Sequence, residues 1–167
     1  MLYSATNELD HFQFHDAEIK EITFNNSDML WTVSGINATT QNTQNENTKD
    51  MCIEQATMKF DNTEIKSIVL GAYTVHDSKG NLIEDAKAIT VKPEEYSKIL
   101  SKPIKNHRFI YGMDSLLQNP NGTYDACFHI NSGTRRYYFT FSFSCSTVEW
   151  NNFSGEAWYE HPKWKKQ

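Results

Sequence analysis

Between residues 136 and 146 the chain alternates almost without error. Tyr137, Phe139, Phe141, Phe143 and Cys145 fall in one phase, and Tyr138, Thr140, Ser142, Ser144 and Ser146 in the other. A period of two sends successive side chains to opposite faces of a sheet, so the stretch predicts a β-strand with an aromatic inner face and a hydroxyl-lined outer one. The chain has 167 residues, enough for one domain that buries roughly two thirds of its unfolded surface. Hydrophobic residues make up 38% and aromatics 13%, so the core must lean on rings, each burying on the order of 150–250 Å². The expected fold class is mainly β, an antiparallel β-sandwich or partly open barrel of about eight to ten strands, with one short helix across an end.

Other segments fill in this frame. Residues 18–24 and 29–36 carry alternating apolar residues around Asn25-Asn26-Ser27-Asp28 and predict a first hairpin. From 37 to 50 the composition collapses to Asn, Thr and Gln, without an apolar anchor to offset the entropy of ordering, which predicts a mobile loop. Cys52, Glu54, Ala56, Met58 and Phe60 share one phase and predict a third strand over 51–60. Residues 67–75 and 82–91 flank a turn in which Gly80 supplies the left-handed conformation. In that second hairpin either Leu70 or Val69 can stand opposite Ile89, and both registers pair apolar residues.

Pro93 opens a short helix over 94–100, residues 109–111 read as strand, and 114–118 as one helical turn. With Ser132 and Gly133 as a two-residue turn, the last hairpin pairs Phe128 with Tyr137, Ala126 with Phe139 and Tyr124 with Phe141. A slip of one residue would carry the buried set of one strand to the wrong face. The expected organisation is a single domain over 1–167 with a loose tail at 161–167, whose basic cluster Lys163, Lys165 and Lys166 is solvated.

Charge and motifs narrow the function classes. A net charge of −5 without long acidic or basic blocks argues against a polyanion-binding surface, so nucleic acid is not an expected partner. The start lacks a basic stretch followed by an apolar one, and no run of about 18 apolar residues occurs, so neither secretion nor membrane insertion is expected. Three cysteines, an odd number, fit a reducing, cytoplasmic compartment better than a disulfide framework. Phosphate-cradling glycine loops, a serine elbow and a Cys-x-x-Cys pair are all missing, so no catalytic residue and no cofactor is assigned.

Three clusters remain as candidate sites. His11 and His15 are four apart, as a zinc-binding helix face requires, but on an extended chain they stand about 13 Å apart and cannot share an ion, so no metal site is expected. In that extended reading Phe12 and Phe14 point inward. Asp16 is then expected to be buried against backbone amides where the first strand begins, with recognition by His15 and Asp16 as the functional alternative.

Asp125, Cys127 and His129 share a strand face, with Arg136 and Tyr138 of the next strand on the same side. Cys127 and His129 lie about 7 Å apart at their bases, too far for a direct hydrogen bond, so the face reads as a binding surface rather than a nucleophile and its base. Trp150, Phe153 and Trp158 lie among Glu149, Glu156 and Glu160. Paired carboxylates with tryptophans can serve sugar chemistry, although closure of the core is the simpler reading. Candidate binding residues are therefore His15, Asp16, His129, Arg136, Trp150 and Trp158.

The opening Phe14-His15-Asp16-Ala17-Glu18-Ile19 and the closing Trp150-Asn151-Asn152-Phe153-Ser154-Gly155-Glu156-Ala157-Trp158 resemble signatures of small bacterial β-rich proteins, some assigned as immunity proteins of toxin systems. That resemblance implies a cytoplasmic, non-enzymatic fold that binds another protein. The expected function is accordingly a protein-binding module of the immunity type. The alternative is a small-ligand or carbohydrate-binding β-domain with rings of Trp31, Trp150 or Trp158 lining an open cavity. An enzyme would need His15 or His129 beside a carboxylate in a cleft.

Overall fold

The computed structural model describes residues 1–100, 108–132 and 135–161. Its strands in chain order are β1 (Tyr3–Thr6), β2 (Phe12–Gln13), β3 (Ala17–Asn25), β4 (Asp28–Ser34), β5 (Ile36–Ala38), β6 (Met51–Ile53), β7 (Ala56–Asp61) and β8 (Glu64–Leu70). They continue with β9 (Tyr73–His76), β10 (Leu82–Ala86), β11 (Ile89–Thr90), β12 (Arg108–Gln118), β13 (Tyr124–Asn131), β14 (Arg136–Phe143), β15 (Cys145–Trp150) and β16 (Gly155–Glu156). A short helix α1 (Tyr96–Leu100) follows a 3-10 turn at Pro93–Glu95. The fold is mainly β and antiparallel, as the alternation requires.

The main sheet runs β1-β15-β7-β4-β3-β12-β13-β14-β8-β11. Connectivity forces this sheet to double over. β7 is third in the order and β8 ninth, yet Asn62 and Thr63 alone join them; β14 is eighth and β15 second, joined by Ser144 alone. Six strand spacings on a flat sheet would span roughly 29 Å, while one or two residues reach only about 7 Å. The two halves must therefore lie face to face, with strands passing from one layer to the other at these corners. β3 and β12 join the layers through just three residue pairs, Arg108–Ile19 to Ile110–Ala17.

Rings fill the space between the layers. Trp31 of β4 is 0% exposed and lies 5.0 Å from Phe128, 6.0 Å from Phe139 and 5.9 Å from Phe141, all in the opposite layer. Phe60 adds edge contacts to Phe141 and Phe143 at 5.0 and 5.2 Å. Buried Arg108 donates from its guanidinium to the carbonyls of Leu100 and Ile99 at 2.7 and 2.9 Å, tying the end of α1 to the start of β12.

The structure revises several expectations. The last hairpin keeps its faces but moves by two residues: Phe128 stands opposite Phe139, Ala126 opposite Phe141 and Tyr124 opposite Phe143. The Ser132 amide and hydroxyl both donate to the Arg135 carbonyl, closing a longer loop than the expected two-residue turn. A two-residue slip returns every side chain to its own face, so hydrophobic pattern alone does not distinguish the two registers. Beyond Phe143 the phase inverts at Ser144, and Ser146, Val148 and Trp150 become the inward set instead of Cys145.

Expected strands also break. The 29–36 strand divides at Gly35, whose φ of 77° bends the chain, and its neighbour 51–60 divides in step at Glu54 and Gln55, so β5 and β6 leave the main sheet. They form a second sheet of order β16-β6-β5-β2. The second hairpin likewise splits into β8 with β11, in the register that sets Leu70 opposite Ile89, and an outer ribbon of β9 with β10. Residues 114–118 continue β12 against β13 rather than forming a helical turn, because pairing with a neighbouring strand overrides local propensity. The expected end of the helix before Pro103 and the tail at 162–167 lie outside the described residues.

The segment expected to be mobile is held by polar anchors. Asn37 lies in β5, and Asn42 and Asn45 are buried. The Asn45 amide nitrogen donates to the carbonyls of Ala38, Thr39 and Lys49 at 3.0 to 3.1 Å, while its oxygen accepts from the backbone and side-chain nitrogens of Asn47. Glu8 accepts from the Thr43 amide and hydroxyl. Burial works against the Glu8 carboxylate, but the Thr43 hydrogen bonds and His11 outweigh it and hold its pKa below the ordinary 4.5.

Two outcomes follow. Asn45→Ala is expected to lower unfolding free energy by about 2 kcal/mol in urea titrations, because it strands buried carbonyls, and to speed amide exchange across 39–50. Since folding depresses the Glu8 pKa, its contribution is present above pH 4.5 and is lost as pH falls through the lower folded value. Acid titration of stability should therefore be flatter in Glu8→Gln than in the parent chain.

Candidate functional site

The site grows from the turn between β2 and β3. Phe12 and Phe14 bury their rings against Trp150 and Phe128, at 5.8 and 5.4 Å, and this inward pair leaves His15 facing outward. Asp16 turns the chain with a φ of 63° while its amide donates to the Ile110 carbonyl at 3.0 Å. Its side chain is 69% exposed, not buried as expected, because the left-handed turn carries it away from the sheet. His15 Nδ1 donates to the Tyr111 carbonyl at 3.1 Å, leaving Nε2 3.4 Å from Asp16 Oδ2.

From His15 a ladder of rings crosses the outer face of β12, β13 and β14. The His15 and Tyr111 rings meet edge to face at 5.7 Å, Tyr111 lies 5.2 Å from His129, and His129 stacks on Tyr138 at 4.6 Å. The Arg136 guanidinium sits 5.1 Å over the Tyr111 ring. Two features of register assemble this ladder. His129 stands opposite Tyr138, and a bulge sets Ile110 against Ile130 and Gly112 against His129, leaving Tyr111 as the extra residue between them. His129 Nε2 is buried in the stack without a hydrogen-bond partner.

On the other side of His15 lies an open cleft of about 630 Å³. His15 and Asp16 form one wall, Asn37 and Cys52 of the second sheet line it, and Glu156 and Trp158 close the far side. Asn37 is 3% exposed and its Oδ1 has no hydrogen-bond partner. Leaving such a group buried and unpaired costs about 1–3 kcal/mol. Trp158 is 54% exposed, held in place by its neighbours. The Tyr159 hydroxyl donates to Asp50 Oδ2 at 2.9 Å, the Ala157 amide to the Asp50 carbonyl at 2.8 Å, and Lys49 pairs with Glu156 at 2.6 Å. Burial and then the Asp50 contact push the Tyr159 phenol well above its usual range, so it stays a donor.

The structure thus groups the six candidates in two overlapping sets and sets one aside. His15, Asp16 and Trp158 border the cleft; His15, His129 and Arg136 belong to the ladder. Trp150 is 0% exposed, stacked on Tyr3 at 5.3 Å, and has no surface to offer a ligand; Trp31 is buried likewise. Sequence reasoning missed Tyr111, Asn37 and Cys52. No periodic signal marks a bulge, and Asn37 sat in a tract with no apolar anchor.

Among the described residues no group of three His, Cys, Asp or Glu side chains is placed to hold a metal ion, and no helix is long and apolar enough to cross a membrane. Comparison of the chain with protein-family models, curated proteins and solved structures finds no match. The rim of the cleft depends on Asp50, so Tyr159→Phe is expected to accelerate amide exchange over 155–160 while costing only about 1 kcal/mol of global stability. Unchanged exchange there would show that the phenol does not hold the rim.

Proposed function

We propose that this chain is a non-enzymatic protein-binding module, with an immunity-type role as the specific form suggested by the Phe14-to-Ile19 and Trp150-to-Trp158 resemblance. The observation that carries this reading is the ladder of His15, Tyr111, His129 and Tyr138 with Arg136 laid across it. Tyrosine and arginine dominate binding energy at protein interfaces because each combines a large apolar area with directed hydrogen bonds. Here they are already stacked in place, so a partner orders little on docking. Exposed Phe109 and Tyr138 extend the apolar area of the face, and a net charge of −5 favours a basic partner.

Catalysis draws less support. His15 does lie beside the Asp16 carboxylate in a cleft, the arrangement an acid–base reading asks for, but the two side chains are 53% and 69% exposed. Solvent reaching both groups is the opposite of the desolvated setting in which such pairs gain catalytic power. The small-ligand alternative loses Trp31 and Trp150 as lining rings and keeps Trp158, at the edge of the cleft.

The test is co-expression with the product of the neighbouring gene in the source genome, followed by size-exclusion chromatography. A stoichiometric complex is expected, weakened about thirtyfold or more by Tyr138→Ala or Arg136→Ala, and unaffected by the remote exposed variant Leu82→Ala. Recovery of free monomer alone, or a complex indifferent to both ladder variants, would overturn the proposal.

A further inference from the structure

The ladder makes a demand on whatever covers it. Arg108, Arg135 and Arg136 are the arginines of the chain, and two of them spend their guanidinium groups on the fold. Arg108 donates to the carbonyls of Leu100 and Ile99, and Arg135 to those of Gly71 and Lys87 at 3.1 and 2.8 Å. Arg136 is exposed and does neither. Among the described residues no carboxylate lies within 4.0 Å of its guanidinium and no protein acceptor takes the guanidinium hydrogens; its contact is with the face of Tyr111, at 5.1 Å. The acidic groups nearby are matched elsewhere. Glu18, opposite exposed Phe109 where β3 meets β12, pairs with Lys20, and Asp16 faces His15. Asn131, opposite Arg136 on β13, is neutral.

In the free chain solvent occupies those donors. A protein seated on the ladder removes that water, and a covered charge with neither counter-charge nor acceptors is strongly unfavourable. We propose that the partner supplies a carboxylate, on an aspartate or glutamate side chain set among apolar residues, that accepts from the Arg136 fork while its apolar neighbours cover Phe109, Tyr111 and Tyr138. The inference rests on the protein-binding reading of the ladder and names the partner's chemistry. A carboxylate matches both the charge and the paired N–H groups of a guanidinium. A backbone carbonyl would match the hydrogen bonds alone, and a lysine or arginine would meet repulsion. Phe109, Tyr111 and Tyr138 are all exposed, so the residues flanking the carboxylate must be apolar to cover them. The net charge of −5 acts at a distance and attracts a partner that is basic overall, whereas pairing at Arg136 is decided at contact, inside a Debye length of about 8 Å.

The experiment follows backbone amides and arginine Nε–H groups of the full chain by NMR during titration with three probes: N-acetyl-phenylalanyl-glutamyl-phenylalaninamide, its glutaminyl counterpart as the neutral isostere, and inorganic phosphate. Saturable shifts at Tyr111, His129, Tyr138 and the Arg136 Nε–H are expected with both peptides, and binding about fivefold tighter with the glutamyl one. Arg136→Gln should bring the two peptides to equal affinity. Arg136→Lys should keep part of the preference, because the charge remains without the fork, and Tyr138→Ala should weaken both peptides alike.

Equal affinity of the parent chain for the two peptides would overturn the carboxylate assignment while leaving the ladder as a protein-binding face. Phosphate binding at Arg136 as tight as the glutamyl peptide would overturn the protein source in favour of a free anion. Absence of saturable shifts with both peptides would overturn the assignment and the protein-binding reading together.

Discussion

Everything in this molecule depends on how Trp31 is surrounded. Its indole joins the rings of Phe60 in its own layer and of Phe128, Phe139 and Phe141 in the other, and these contacts hold the doubled sheet closed. A sheet folded upon itself at one- and two-residue corners has little covalent slack, so its inner faces must be filled to close density by the side chains available. Rings do this with few residues, each contributing large apolar area and preferred edge-to-face contacts. The cost is visible too: the Trp31 and Trp150 indole nitrogens and the Tyr137 hydroxyl are buried without partners, and burial pushes the Tyr137 phenol up to about 12.

The same alternation that fills the core furnishes the outer face. On β13 and β14 every inward ring has an outward neighbour, so packing Phe128 and Phe139 inside fixes His129 and Tyr138 outside and opposite one another. The surface ladder is thus a by-product of core register. The turn at His15 and Asp16 joins the ladder to the cleft, since inward anchoring of Phe12 and Phe14 leaves His15 shared between the two surfaces.

Much of this was legible in the chain. Alternation over 136–143 correctly sorts Tyr137, Phe139, Phe141 and Phe143 inward, and the polar breaks at 25–28 and 77–81 mark real turns. Failures have a common physical origin in long-range contacts. A two-residue slip between β13 and β14 preserves both faces, so the hydrophobic pattern is blind to it. Ser144 and Gly35 redirect strands between layers or sheets, which depends on partners distant in sequence. The Asn45 network replaces apolar anchors with hydrogen bonds among residues whose composition suggests disorder. Of the candidate site, His15, Asp16, His129, Arg136 and Trp158 were identifiable by type, but Tyr111 and Asn37 take their positions from a bulge and from a second sheet.

The central claim is that one ring cluster joins two layers that the chain reaches by folding a single sheet over itself. Nuclear Overhauser spectroscopy on protein with assigned aromatic side chains tests it most directly. The account predicts cross-peaks from the Trp31 indole to the rings of Phe128 and Phe139, at centroid distances of 5.0 and 6.0 Å. Cross-peaks from Trp31 confined to residues of β3 and β7, with none to β13 or β14, would mean that the layers do not face each other and would contradict it.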